Sequence, residues 1–340
     1  MAIKDGIKVI VYIVLVGTLV AYFSGVYGIK NVTSGSNEKI LQSEVLFIGT
    51  SGFNRAISPM ELFEKKGIAS YNISSSWAQI PLNYYMIQEY AKNTKTKLIV
   101  LDMETFFDQE IQTLDTVHYT TDGMPLDGKK ISFVNEDVWN MSVVDKIGFI
   151  APLFRYHDRW SEATPADYAL KDVDLCDEWQ CYGYLYDYNA FQEEDVKYAI
   201  GDDYQSNHSL EYVLKIQDYC SKNNIELLLL LPPWQRFNEK QYDALRELTN
   251  ERGLKYEDFR SENAKMLDER TEYANSGHLN TAGAVKYSNF LADYLSDNYD
   301  LSDYRDEPDY CDWKKDLETY REEKEKTLQL YYQIIPEARK

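Results

Sequence analysis

The sequence has few of the residues from which metal centres are built. Its 340 residues include four cysteines and four histidines. The cysteines, Cys176, Cys181, Cys220 and Cys311, form no CxxC pair, and no cluster of histidines accompanies them. A structural zinc site needs such ligands at short spacing, so we expect neither a metal nor another cofactor. Outside the cell Cys176 and Cys181 could form a disulfide, and the alternative is four free thiols.

Positive charge is also scarce. The chain has 36 Lys and Arg residues against 56 Asp and Glu residues, which gives a net charge of -20. Nucleic acids and anionic membrane surfaces repel such a protein, so we expect neither as an electrostatic partner. The apolar fraction of 44% is that of a globular protein. The length allows one large domain with insertions, or two domains.

There is a single long uncharged apolar run, at residues 9–27. As a helix it would be ~28 Å long, enough to cross the hydrocarbon core of a bilayer. Lys4 and Lys8 precede it, so the positive-inside rule keeps the N-terminus cytoplasmic. A cleaved signal peptide is the alternative, but no A-x-A site follows the run. We therefore predict a single-pass anchor at residues 1–29, a polar stalk at 30–44 and an extracellular globular part.

Beyond the stalk, apolar runs alternate with amphipathic segments. Ser58, Pro59 and Glu61 predict the start of a helix, with Glu61 closing a capping box. The predicted strands are 45–49, 68–73, 97–102, 225–231 and, less regular, 254–259. The predicted helices that follow or separate them are 81–92, 209–221, 239–252 and 281–297. This alternation indicates an α/β domain with a parallel sheet and right-handed crossovers.

Two regions depart from the alternation. Residues 104–206 are rich in Asp, Tyr and Trp with weak apolar periodicity, and they predict an insertion of loops and short helices. Residues 301–340 predict a charged helical tail. The α/β domain would thus span 45–300, interrupted by this loop-rich region.

Ser51 follows the first predicted strand, beyond Gly49. Ligands of open α/β sheets bind at the carboxyl ends of the strands, so Ser51 is a candidate nucleophile. A serine hydroxyl needs a base, and His278, in the loop before the last helix of the domain, is the candidate. Phe53 stands where a G-x-S-x-G elbow has its last glycine, which disfavours the α/β-hydrolase fold.

Two motifs resemble those of the SGNH (GDSL-like) hydrolase family. They are Gly49-Thr50-Ser51 and the pattern His-Leu-Asn-x-x-Gly-Ala that begins at His278. The resemblance implies a three-layer, flavodoxin-like fold. It also implies that Ser74, in the second block, supplies an oxyanion-hole amide. Residues 154–160 resemble a segment of membrane-anchored cell-envelope members, which are similar to the D-alanyl-lipoteichoic acid transfer protein and to alginate O-acetylation proteins.

The chain departs from this family at two positions. Asn275 stands three residues before the histidine, where the family keeps its triad aspartate. An amide there can orient the imidazole but cannot stabilise the imidazolium by charge. Asp268, Glu272 or a backbone carbonyl could take the place of the aspartate. The asparagine of the third block is not evident, and Asp102 and Glu104 lie in that region instead.

Other polar residues near these motifs have two interpretations each. Arg55 could bind an anionic substrate group or form a surface salt bridge. Asp102 could belong to the site or cap the segment that follows it. His157 is expected to be structural or to contact substrate. We include Arg55 and Asp102, with Gly49 and Ser74, among the candidate oxyanion or substrate-binding residues.

By this resemblance we expect an O-acyltransferase that modifies a cell-envelope polysaccharide or teichoic acid through a serine acyl-enzyme. A multi-pass membrane acyltransferase would be its partner, because an external transferase needs exported acyl groups. The alternatives are an esterase or deacetylase with the same site, and a non-catalytic binding or scaffold protein, which Asn275 favours.

Overall fold

The computed structural model describes residues 2–29, 37–92, 94–108, 113–170, 176–190, 208–233, 237–275 and 277–338. The chain divides into two compact units. The first contains residues 1–35 and 113–173, and the second contains 36–112 and 174–340. Each unit is described by itself below.

Nine strands are present in the described residues. They are β1 Val45–Gly49, β2 Ser70–Ser74, β3 Leu98–Asp102, β4 Gln180–Cys181, β5 Tyr184–Leu185, β6 Glu226–Leu230, β7 Lys255–Glu257, β8 Tyr273–Asn275 and β9 His278–Leu279.

The described residues contain fourteen α-helices and four short 3₁₀-helices. The α-helices are α1 Ala2–Tyr27, α2 Asn37–Gln42, α3 Ser51–Ala56, α4 Pro59–Lys66, α5 Ile80–Tyr90, α6 Leu114–Thr121, α7 Gly128–Val134, α8 Val143–Ile150, α9 Pro165–Tyr168, α10 Ser209–Lys222, α11 Glu239–Arg252, α12 Arg260–Met266, α13 Thr281–Asn298 and α14 Cys311–Ala338. The 3₁₀-helices are Asp137–Trp139, Pro152–Phe154, His157–Ser161 and Pro308–Tyr310.

The second unit is built on a five-stranded parallel sheet in the order β2-β1-β3-β6-β7. The predicted mixed α/β architecture with a parallel sheet is therefore confirmed. Every residue of β1, β2 and β3 is buried. The nearly continuous apolar runs of β1 and β3 are typical of such strands, whereas β2 also buries Ser70, Asn72 and Ser74. The last strand is shorter than predicted, at Lys255–Glu257.

The helices pack in two sets. One set contains α4, which packs against α13 and α14, and the other contains α5, which packs against α10. The crossover from β1 to β2 runs along the sheet in the opposite direction from the later crossovers. Because such crossovers are right-handed, the two sets lie on opposite faces of the sheet.

The segments before and after the sheet core are more deeply buried than predicted. Residues 37–42, expected to end a stalk, form α2, and the Glu44 after them is fully buried, its carboxylate accepting a hydrogen bond from Ser302 N at 2.8 Å. The predicted charged tail is largely α14, whose Trp313 and Tyr320 are also fully buried. Residues 30–36 lie outside the described residues.

The start of α4 corrects one prediction. Ser58 is the N-cap residue and Pro59 the first helical residue, as expected, but the Ser58 side chain makes no capping hydrogen bond. Glu61 forms no capping box. Its buried carboxylate accepts a hydrogen bond from Tyr320 Oη at 2.8 Å and pairs with Lys324 instead. A tertiary contact with α14 has replaced the local one.

The predicted insertion at 104–206 is divided between the two units. Residues 113–170 belong to the unit that contains α1, residues 176–190 to the α/β unit, and 191–207 lie outside the described residues. Cys176 and Cys181 form a disulfide beside the short β4–β5 pair. Cys220 and Cys311 are free thiols, and burial raises the pKa of Cys220 to about 12.

The unit of α1 contains the predicted anchor. Within this helix, the segment Asp5–Tyr27 is long and apolar enough to cross a membrane, and this segment is mostly uncovered by protein. Short helices α6 to α9 make up the rest of the unit, around a buried His118 ring that stacks on Phe149. His157 is exposed, with Nδ1 3.3 Å from Phe154 O, so its contact is a local turn contact.

Candidate active site

Ser51 lies just beyond the carboxyl end of β1, where the chain leaves the sheet. It begins α3, two residues after β1 ends, and β1 lies between β2 and β3. The chain turns to one side of β1 to form β2 and returns to the other side to form β3, so a crevice is expected at this edge. The Thr50 hydroxyl caps α3 by accepting a hydrogen bond from Gly52 N at 3.0 Å, which orients the turn.

The structure brings Ser51 and His278 together across 227 residues of sequence. His278 Nε2 lies 2.8 Å from Ser51 Oγ. His278 belongs to the short β8–β9 hairpin, directly before α13. Asn280 holds this loop, because its side-chain amide donates to Thr271 O at 2.7 Å and its Oδ1 accepts from Gly283 N at 3.1 Å.

Asn275 determines which nitrogen of His278 carries the proton. Its Oδ1 lies 3.0 Å from His278 Nδ1 and also accepts a hydrogen bond from Gly277 N at 2.9 Å. A backbone N–H can only donate, so the Asn275 atom at this point is the oxygen, not the amide nitrogen. His278 Nδ1 must then donate to it. In the neutral imidazole Nε2 is therefore unprotonated and accepts from the Ser51 hydroxyl, as a general base does.

The surroundings keep His278 neutral. Burial, and next the positive charge of Arg55, lower the pKa of His278 to about 4, while Asp187 opposes this shift. The imidazole is thus a free base at neutral pH. Between pH 6.5, the pKa of histidine in the unfolded chain, and about pH 4, the unfolded chain binds a proton at His278 that the folded chain does not bind. The free energy of unfolding therefore decreases as the pH falls through this range.

Arg55 forms an ion pair at the site, with Nη1 2.8 Å from Asp187 Oδ2. The main chain of Asp187 is tied to the start of α13, since Thr281 N donates to Asp187 O at 2.7 Å and Asp187 N donates to the Thr281 hydroxyl at 3.0 Å. The Arg55 side chain remains 29% exposed. It is thus both a salt-bridge partner and a cation that water can reach beside the histidine. Asp187 was not predicted, because nothing in the aperiodic 104–206 sequence distinguishes it.

Beneath the serine lies a buried pair of carboxyl groups, Asp102 and Glu104. The Thr50 hydroxyl is 2.6 Å from Asp102 Oδ2 and 2.6 Å from Glu104 Oε2. A hydroxyl has one hydrogen to donate, and its other capacity is as an acceptor, partly used by Gly52 N–H. It can therefore donate to only one of the two carboxyl groups at a time. Asp102 also accepts from Thr50 N at 2.9 Å and from Glu104 N at 2.8 Å, so it holds the turn that precedes Ser51 and caps the following segment.

The same carboxyl pair explains both glycines beside Ser51. A Cβ atom on Gly49 would lie 2.1 Å from Asp102 Cβ, and one on Gly52 would lie 2.7 Å from Glu104 Oε2. Gly49 thus has a packing reason to be glycine, as it gives the Asp102 side chain room beside the strand end.

Ser74 and Glu272 are the remaining candidates from the sequence. Ser74 pairs in register with Gly49 across β1 and β2, at the same sheet edge, and its buried hydroxyl has no hydrogen-bond partner among the described residues. Glu272 pairs with Lys286 and accepts from Asp268 N at 2.5 Å. These partners engage both of its carboxylate oxygens, whereas Asn275 is the residue at His278 Nδ1.

No group of three or more His, Cys, Asp or Glu side chains in the described part of the chain could hold a metal ion. The described residues instead form a hydrogen-bonded chain of Ser51, His278 and Asn275 beside Arg55. His278 can accept a proton from Ser51, and Arg55 can bind an anionic group or polarise a carbonyl group. Comparison of the chain with models of protein families, with curated proteins and with solved structures finds no match.

Proposed function

We propose that this protein is a membrane-anchored, extracellular O-acyltransferase of the SGNH type, which modifies a cell-envelope polysaccharide or teichoic acid. The sheet order supports this, because β2-β1-β3-β6-β7 corresponds to the 2-1-3-4-5 order of flavodoxin-like folds. The positions of Ser51 after the first strand and His278 before the helix α13 fit the same arrangement.

The observation that carries the proposal is the hydrogen-bonded chain from Ser51 through His278 to Asn275. In the first half-reaction Ser51 Oγ bonds to the acyl carbon of a donor ester while its proton passes to His278 Nε2. The donor alkoxide leaves and takes that proton. In the second half-reaction an acceptor hydroxyl gives its proton to Nε2 and attacks the acyl-enzyme, and Ser51 leaves and takes the proton back. Arg55, partly exposed beside the histidine, is suited to an anionic group of the donor or acceptor.

The anchor and the disulfide support an extracellular location. A membrane-spanning α1 with lysines before it would place the α/β unit that follows it outside. The Cys176–Cys181 disulfide fits an oxidising compartment. Protease added to intact cells should digest the protein beyond residue 30. Full protection until the cells are lysed would contradict the location.

The decisive experiment is incubation of the purified protein with p-nitrophenyl acetate, followed by measurement of the intact mass. We expect a mass increase of one acetyl group, and labelling by a fluorophosphonate probe. Ser51→Ala should abolish both, whereas Ser76→Ala, a nearby exposed serine, should leave both unchanged. A folded wild-type protein that gains no mass and takes no probe would contradict the proposal.

The fate of the acyl group separates a transferase from an esterase or deacetylase. With glycerol or a soluble polysaccharide present, a transferase yields acylated acceptor, whereas an esterase yields free acetate only. A non-catalytic scaffold is the second candidate, and the observation that favours it is the neutral Asn275 at the position next to His278 Nδ1. A scaffold would remain unlabelled, and the cellular phenotype would survive Ser51→Ala.

A further inference from the structure

The helix α1 is covered by protein only at its C-terminal end. Val26 and Tyr27 are buried, whereas Val9–Leu15 are all more than half exposed. Tyr22 Oη donates to Tyr168 O at 2.8 Å, and Arg159 donates to Tyr27 O at 2.8 Å. The segment that makes these contacts, residues 143–170 of the same unit, is called the collar below.

The uncovered part of α1 is too short to cross a bilayer alone. The exposed uncharged stretch from Val9 to Leu19 amounts to ~17 Å of helix, while the hydrocarbon core is about 30 Å thick. Asp5 and Lys8 limit any extension toward the N-terminus. The apolar core must therefore continue along α1 to about Tyr27, and the part of the collar around Tyr22 and Tyr27 then lies at membrane depth.

One face of the collar is apolar and exposed, as this position requires. On α8, which begins at a Ser142–Asp145 capping box, Val143 and Val144 are 74% and 77% exposed, and Ile147 and Ile150 continue the same apolar face. This helix packs on the Pro152–Phe154 turn, and that turn packs on α1. Phe154 is exposed, and so is Trp160, at 68%. Aromatic side chains of this kind are typical of the membrane interface.

We propose that the collar is embedded in the half of the bilayer that surrounds the C-terminal end of α1, with α8 and Trp160 in contact with lipid acyl chains. Lipid covers the apolar face, because this face adjoins α1 and the length of the apolar part of α1 places this end of the helix within the hydrocarbon core. The contact is apolar, since the net charge of -20 disfavours electrostatic binding to a membrane surface. This inference rests on α1 being a retained anchor, as in the proposed location, but it does not depend on any catalytic activity.

The test uses the full-length protein in phosphatidylcholine vesicles whose acyl chains are brominated. The Trp160 signal is the difference in fluorescence between the wild type and Trp160→Phe, whose fold is checked by circular dichroism. Brominated lipid should quench at least half of that difference signal, and iodide in the aqueous phase should quench little of it. Unbrominated vesicles of the same lipid are the control.

The outcomes distinguish the membrane anchor from the embedded collar. Protein that alkaline carbonate strips from the vesicles would show that α1 is not an anchor, and would overturn both the proposed location and the collar. Protein that stays bound, with a Trp160 signal quenched by iodide and not by brominated lipid, would overturn the collar alone. That second result is also expected if the apolar face is covered by another membrane protein, because none is present in pure lipid vesicles.

Discussion

Replacing Asn275 by aspartate tests the central geometry of the site. The new carboxylate would stand where Asn275 Oδ1 now lies 3.0 Å from His278 Nδ1, and Gly277 N–H could still bind it. When His278 takes the Ser51 proton, the imidazolium would face a negative charge in place of a neutral amide. The transition state for acylation should therefore be stabilised.

The magnitude follows from distance and burial. Two unit charges about 4 Å apart attract by ~4 kcal/mol at an effective dielectric constant of about 20, and by ~1 kcal/mol in bulk water. Asn275 is exposed and His278 half-buried, so the value lies between these limits, at about 1.4 to 2.8 kcal/mol. This corresponds to a rate of acylation raised roughly ten-fold to one hundred-fold. The same energy raises the pKa of His278, and thus the acid limb of the pH profile, by about one to two pH units.

The assay is hydrolysis of p-nitrophenyl acetate between pH 4 and pH 8. Asn275→Asp should be faster at neutral pH, but should lose activity at a higher pH than the wild type when the solution is acidified. Asn135→Asp adds the same charge at an exposed asparagine of the other unit and should change neither quantity. A folded Asn275→Asp protein whose rate and acid limb both match the wild type would refute the reasoning.

Three further substitutions test the groups around the serine. Arg55→Gln removes the positive charge that lowers the pKa of His278, so the acid limb of the same pH profile should rise, by about one pH unit or less at this partly exposed position; an unchanged limb would contradict that coupling. Thr50→Val deprives the buried carboxyl pair of its shared hydroxyl and should lower the free energy of unfolding in urea by about 2 to 3 kcal/mol, whereas no loss would argue against the cluster. Gly49→Ala places a methyl group against Asp102 and should cost about 1 to 3 kcal/mol or more in the same assay. Its control, Gly128→Ala, has open space at that point and should be neutral or stabilising by up to about 1 kcal/mol.

Much of the secondary structure could be predicted because it depends on neighbouring residues. The apolar runs at β1, β3 and β6 are buried in the sheet, as their composition required, although β6 is exposed at its first residue. Gly253 adopts a left-handed conformation at the end of α11, where a helix end was expected. The 9–27 run lies within one apolar helix. In each case the signal and the structure lie within the same few residues.

Side-chain partners from distant segments could not be predicted in this way. The sequence identified Ser51 and His278 as candidates, but their 2.8 Å contact depends on the strand order and on the docking of α13. Glu61 had a local role available at a helix start, and its buried carboxylate instead binds Tyr320 of α14. A local pattern contains no information about such a competing partner.

The sequence by itself thus determined which segments are buried, where the apolar helix of membrane-spanning length lies, and which two residues could form a nucleophile and a base. Only the tertiary structure decided that Asn275 orients His278, that Asp187 reaches Arg55, and that two carboxyl groups share the Thr50 hydroxyl. The physical reason is the range of the interactions. Hydrophobic periodicity and helix capping act within a few residues, whereas hydrogen bonds and ion pairs in a site depend on ångström-scale distances, and these are set when the whole sheet and its helices pack.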